Sequence, residues 1–220
     1  MDGLQPEQQL QKTDAKKKVA LVIGAGDATG GEIAKRFARG GYIACMTRRN
    51  AEKLQPLIAE IEAEGGLAYG FASDARKEDQ VIALVEEIEA NIGEIDVLVF
   101  NIGANVPCSI LEETARKYFK IWEMACFGAF LTGREVAKRM VVREHGSIIF
   151  TGATAGIRGA ANFAAFAGAK HALRALAQSM ARELGPKNIH VAHVVVDGAI
   201  DTDFIKDTFP EMYARKEQDG

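Results

Sequence analysis

Short apolar runs and amphipathic stretches alternate along most of this chain. Val19 to Ile23 is a β-branched apolar run. A glycine-dense turn, Gly24 to Gly31, follows it, and then Ile33, Phe37 and Ala38 share one helical face. Gly40-Gly41 ends that helix. Tyr42 to Thr47 reads as a second strand, closed by Arg48-Arg49-Asn50. Ala51 to Glu64 places Leu54, Leu57, Ile58 and Ile61 on one stripe and stops at Gly65-Gly66. Leu67 to Ala72 predicts a third strand. Lys77 to Ile92 predicts a helix with Val81, Leu84, Val85 and Ile88 inward. Ile95 to Phe100, Gly146 to Thr151 and His190 to Val196 predict three more strands. Helical patterns run from about Ala115 to Met140 and from Ala161 to Leu184. Strands apolar on both faces and alternating with helices predict a single α/β domain: one doubly wound parallel sheet with helices on both faces.

The first turn carries candidate chemistry. A buried strand, a glycine turn and a helix N-terminus together expose backbone N–H groups and a partial positive charge, which suits a pyrophosphate. The glycines fall at 24, 26, 30 and 31, and Thr29 stands where the third glycine of G-x-G-x-x-G would be. The plainer alternative is a turn that only joins strand to helix. In doubly wound folds ligands bind beyond the carboxyl ends of the strands, so Gly24, Arg48, Asp74, Asn101, Gly152 and Asp197 are predicted to line one crevice. An acidic residue after the second strand suits the ribose 2′-hydroxyl of NAD, and arginine suits the 2′-phosphate of NADP. Arg48 and Arg49 therefore favour NADP(H) over NAD(H), against the alternative of a solvated surface pair. Asp74 can accept from the adenine amine or cap the helix after it. Asn101 and Gly103 fall where backbone passes near a ribose. Lys170, flanked by small and apolar residues on the long helix, either snorkels to the surface or sits in the crevice.

Composition narrows the partners. The chain has 220 residues, enough for one α/β domain, and its formal net charge of −3 shows no nucleic-acid footprint. No run is long and apolar enough to cross a membrane. Residues 1–17 are polar, lack an apolar core and read as a flexible leader rather than a secretory signal. Cys45, Cys108 and Cys126 have no metal-ligand spacing, so no metal is expected. Three scattered cysteines fit reduced thiols in a cytoplasmic protein.

In combination these residues resemble the short-chain dehydrogenase/reductase family over roughly Lys18 to Phe204. The matching elements stand in family order: Gly24-Ala-Gly-Asp-Ala-Thr-Gly30, Asp74-Ala75, Leu98-Val-Phe-Asn-Ile-Gly103, Gly152-Ala-Thr-Ala-Gly156, Phe166-x-x-x-Lys170 and Asp197-Gly-Ala-Ile-Asp-Thr202. The resemblance implies a Rossmann-type domain over residues 18–220, without the usual C-terminal edge strand, and an NADP(H)-dependent oxidoreductase of a small carbonyl or alcohol compound. It implies cofactor contacts from Gly24, Gly26, Asp27, Ala28, Thr29, Gly30, Arg48, Arg49, Asp74, Ala75, Asn101, Gly103, Lys170, Gly198 and Thr202. It also implies a homodimer or homotetramer packed through the helices at about 115–140 and 161–184, where Phe127, Phe130, Phe163 and Leu173 are surplus to one core.

The departures from the family are chemical. Its tyrosine position is Phe166, its serine position Ala153 and its asparagine position Ala125; of the usual tetrad Lys170 alone is kept. A positioned general acid/base is worth ~10²–10⁴-fold, and phenyl and methyl groups supply none of it. Ala28 replaces a turn glycine, and Asp197 replaces a proline beside the nicotinamide. Three readings follow: the oxidoreductase, a catalytically inactive NADP(H)-binding regulatory or scaffolding protein, and an enzyme with rewired chemistry through Lys170, Thr154 or His171.

Overall fold

The computed structural model describes residues 18–26, 28–198, 200, 206, 207 and 210. Six strands form one sheet: β1 (Lys18–Ile23), β2 (Ile43–Arg48), β3 (Leu67–Ala72), β4 (Glu94–Phe100), β5 (Gly146–Ala153) and β6 (Ile189–Val196). Their order is β3-β2-β1-β4-β5-β6, and every pairing is parallel. The helices are α1 (Thr29–Arg39), α2 (Gln55–Ala63), α3 (Glu78–Asn91), α4 (Ala115–Trp122), α5 (Gly128–Arg143) and α6 (Ala164–Leu184). The predicted doubly wound parallel sheet is therefore present.

Alternation along β1 explains the two-sided core. Val19, Leu21 and Ile23 pack with Leu98, Phe100, Phe150 and Leu173 on one face. Ala20 and Val22 pack with Met46, Val99 and Leu54 on the other. Leu173 is fully buried, so it belongs to the core rather than to a surplus surface.

The structure differs from the sequence pattern in four places. The Ala51–Glu64 helix opens as a 3₁₀ turn, Ala51–Leu54, before α2, whose first turn holds a proline with no N–H to give. The 115–140 pattern breaks at a π-helical turn, Glu123–Phe127, between α4 and α5. β5 extends past Thr151 to Ala153, held by its register with β6 through Ala153 opposite Val196. The last helix begins at Ala164 rather than Ala161, because Asn162 takes a left-handed φ of 65° and lends its carbonyl to Cys108 N–H at 2.7 Å.

Among the described residues β6 is a sheet edge, with Val194 and Val195 exposed. Residues 1–17, expected as a leader, lie outside the described residues. None of the described helices is long and apolar enough to cross a membrane, and no cluster of metal-ligating side chains occurs among the described residues. All three cysteines are free, and burial pushes the Cys45 thiol up to about 12.

The amino ends of four strands are joined by one carboxylate. Asp96, nine-tenths buried, accepts from Lys18 Nζ at 3.2 Å and Tyr42 Oη at 3.0 Å, and pairs with His145 Nε2 at 2.7 Å. These residues begin or immediately precede β1, β2 and β5, while Asp96 is in β4. Truncating it leaves the part-buried Tyr42 hydroxyl without its acceptor, while the more exposed Lys18 and His145 turn to water, so Asp96→Ala is expected to cost about 1–3 kcal/mol. Urea denaturation checks this. A loss within ~0.5 kcal/mol, the range of an ordinary surface change, would show that the cluster does not brace the sheet.

Candidate functional site

Because all six strands are parallel, their carboxyl ends meet along one edge of the sheet. The turn after β1 is fixed there by backbone geometry. Gly24 has φ +84°, a left-handed conformation, and its N–H reaches Thr47 Oγ1 at 3.4 Å, while Ala25 N–H reaches Thr47 O at 3.2 Å. Asn101, at the end of β4, donates from Nδ2 to Gly24 O at 3.3 Å. Gly30 is the tightest point: a Cβ there would sit 2.4 Å from Gly24 O and 2.9 Å from Ala25 Cα, so α1 can approach β1 only with glycine in that place. A Cβ on Gly26 or Gly103 would meet open space, since both face the crevice. No side chain caps α1; the Gly31 and Glu32 N–H groups turn back to Ala28 O, and the helix N-terminus faces the crevice through Ala28 and Thr29.

The crevice has two lobes that share Ile102 and Gly103. The smaller, about 360 Å³, is lined by Gly24, Gly26, Arg48, Arg49, Asp74 and Ala75, joined by Thr47, Arg76 and Met124. The larger, about 630 Å³, is lined by Ala28, Thr29, Asn101, Ala153, Phe166 and Lys170, together with Thr154, Arg158, Asp197, Gly198 and Ile200. All six predicted strand ends thus border it. Asp27 and Thr202, also expected at the cofactor, lie outside the described residues. Gly30 shapes the turn from behind the wall. Ala125 is fully buried in the π turn, packed in a small apolar cluster with Ala104, Ile121 and Ala169, and lines neither lobe.

Several side chains behave differently from the sequence expectation. Asp74 does not cap α3, whose N-cap is Lys77. Its carboxylate is taken by Arg76, Nε to Oδ1 at 2.9 Å and Nη2 to Oδ2 at 2.5 Å, and this pairing holds it below the usual carboxylate range. Arg76 in turn lies 3.5 Å from Glu123. Arg48 Nη1 donates to Lys53 O at 3.4 Å. His171 is exposed and holds Ala167 O at 2.9 Å, outside the crevice, which removes it from the rewired reading. Phe163 lines the larger lobe.

Lys170 resolves its open alternative. It is 3% exposed in the crevice floor, with Nζ donating to Thr151 O at 2.7 Å and Ile102 O at 3.3 Å and lying 5.9 Å from the Phe166 ring centroid. One carbonyl lies in β5, two residues before its end, and the other follows β4, so the ammonium ties the carboxyl-end regions of two strands together. Burial pushes its pKa down to about 8. Nearby, His193 on β6 packs against Gly152, where a Cβ would come within 2.2 Å of its ring, and its buried Nε2 has no hydrogen-bond partner among the described residues. Burial, then Lys170 and Arg174, holds that imidazole below its ordinary value. His193 carries no sequence signal, because its place comes from the register of β6 with β5, whereas Arg76 lies only two residues from Asp74 and the sequence leaves open which way it turns.

The family model for short chain dehydrogenases matches residues 18–212. The chain belongs to the short-chain dehydrogenase/reductase family. A solved short-chain dehydrogenase from Rhodopseudomonas palustris is 50% identical at a TM-score of 0.78, covering 89% of this chain and 91% of that one. An NAD⁺-bound xylitol dehydrogenase is 28% identical at a TM-score of 0.83, over 90% of this chain and 76% of its own. A metagenomic short-chain oxidoreductase in complex with NADP is 29% identical at a TM-score of 0.78, over 83% of each chain. The larger lobe of this dehydrogenase/reductase fold is where Phe166, Ala153 and Lys170 meet.

The depressed lysine makes a pH prediction. Below about pH 8 Lys170 is charged both folded and unfolded, and its burial opposes folding. Between about 8 and 10.5 the folded lysine is neutral while the unfolded one still holds its proton, so stability rises with pH. Relative to Lys170→Met, the wild type is expected to gain about 3 kcal/mol over that window. Paired denaturation curves at pH 7.5 and pH 10 check it; a constant difference between the two proteins would contradict the burial cost.

Proposed function

We propose that this chain binds a nicotinamide dinucleotide, NADP(H) in preference to NAD(H), along the crevice and acts as an oxidoreductase on a small alcohol or carbonyl compound in the larger lobe. The observation that carries this reading is the continuity of the crevice from the uncapped α1 turn to the buried Lys170 ammonium. The residues fit the group: Gly26 and Gly103 leave open space that a Cβ would fill, and the helix N-terminus favours an anion. In this reading Gly24, Gly26, Asp27, Ala28, Thr29 and Gly30 hold the pyrophosphate. Arg48, Arg49, Asp74 and Ala75 hold the adenosine end. Asn101, Gly103 and Lys170 hold the nicotinamide ribose, and Gly198 and Thr202 are the remaining cofactor contacts of this reading. Bound there, the nicotinamide supplies the hydride acceptor or donor. Lys170 positions and is held by two carbonyls. Phe166, 8% exposed, keeps the wall of the lobe without a proton to give.

Solved neighbours include both an NAD⁺ and an NADP complex, so the preference for NADP(H) rests on the two arginines. Calorimetric titration is expected to give NADPH at least tenfold tighter than NADH, with the difference abolished in Arg48→Ala/Arg49→Ala. No binding of either at millimolar concentration defeats the reading. A second reading, nucleotide binding without turnover, is favoured by Phe166, Ala153 and Ala125, which offer neither hydroxyl nor amide. Turnover of an alcohol and carbonyl panel that Lys170→Ala abolishes separates the two.

The same reading assembles the chain as a homodimer or homotetramer. Phe119, Trp122, Phe127 and Phe130 stack in a ladder with centroids 5.9, 6.0 and 6.1 Å apart, capped by Arg134 at 5.1 Å. Phe119 and Phe130 remain 59% and 38% exposed, more apolar surface than a lone chain needs to show. Sedimentation is expected to show an oligomer that Phe119→Glu/Phe130→Glu dissociates; a wild-type monomer at tens of micromolar excludes it.

A further inference from the structure

The register of β5 with β6 places two residues face to face at the mouth of the larger lobe. Ala153 pairs with Val196, so the next residues, Thr154 and Asp197, leave their strands side by side. The Thr154 hydroxyl donates to Asp197 Oδ1, and both side chains line the lobe that holds Ala153, Phe166 and Lys170. Committing its one proton to the carboxylate leaves the threonine oxygen as an acceptor alone, and a carboxylate carries further acceptor sites. This wall of the lobe therefore presents lone pairs and no donor.

We propose that the Thr154–Asp197 pair is a specificity-determining edge that selects a ligand with a hydroxyl group, an alcohol, over the corresponding carbonyl compound. A carbonyl oxygen brought to this edge meets acceptors, and its own polar atom is left unpaired. An alcohol donates to it. The argument rests on the lobe being the ligand site of the proposed function. It also disfavours a cationic amine, because Lys170 and Arg158 line the same lobe and place two positive groups against the one carboxylate of Asp197. Phe166 and Ala153, which line the same lobe, add no donor of their own, and Lys170 Nζ already donates to Thr151 O and Ile102 O.

The test uses cyclohexanol and cyclohexanone, equal in shape and different in the donor, followed by saturation-transfer NMR on the full chain saturated with NADP⁺ and again without nucleotide. The wild type is expected to bind the alcohol at least tenfold more tightly than the ketone. Thr154→Val and Asp197→Ala are expected to reduce that ratio to near one. Asp197→Asn, which turns an acceptor into a donor of the same shape, is expected to shift the preference toward the ketone. Circular dichroism confirms that each variant is folded. Equal wild-type affinities, including no detectable binding of either probe, overturn the proposal, as does a preference that survives in Asp197→Asn. Failure of the parent reading looks different: NADPH does not bind, while the preference measured without nucleotide persists.

Discussion

Parallel pairing is the constraint on which this structure depends. Five parallel pairings hold six strands in register, and each has its carboxyl end on the same edge of the sheet. Residues from Gly24 to Asp197, separated by most of the chain, consequently border one crevice. A parallel connection requires a crossover helix, so the sheet also fixes where the helices go and buries both of its faces. The turn after β1 can join that edge only because Gly30 lets α1 lie against Gly24 and Ala25 without a side chain between them.

Within the crevice, charge and shape are handled by different residues. Lys170 is buried where a lysine pays for desolvation, and two strand-end carbonyls accept its protons. The Phe166 ring lies 5.9 Å from its ammonium. In the same lobe a threonine and an aspartate meet across the β5–β6 register. In the smaller lobe a different arrangement holds. Asp74 is neutralised by Arg76, so the arginines after β2 stand beside a carboxylate that is already paired. Ala125 takes part in neither half. It is packed inside a π-helical turn, where its methyl fills apolar space.

The amino-terminal edge of the sheet is organised on the same principle as the site edge, with side chains from separate strands meeting at a shared group. Asp96 there gathers Lys18, Tyr42 and His145. The two edges thus differ in purpose while sharing an origin in the parallel register.

The apolar periodicity by itself determined the strands, their order of alternation with helices and the doubly wound parallel class, because burial on both faces leaves a continuous apolar run that no half-exposed strand would tolerate. The glycine spacing and the six strand ends were also legible, since turns must fall where the periodicity stops. The tertiary structure alone decided what each polar side chain faces. Lys170 was ambiguous in the sequence because a snorkelling and a buried lysine share the same neighbours along a helix; only the ends of β4 and β5 supply its acceptors. Asp74 read equally as a cap or a ligand contact until Arg76 folded back on it. The Thr154–Asp197 pair, the π turn that splits α4 from α5, and the packing of His193 on Gly152 all depend on register between strands or on crowding between helices. Those relations are set by contacts distant in the chain, and local propensity does not encode them.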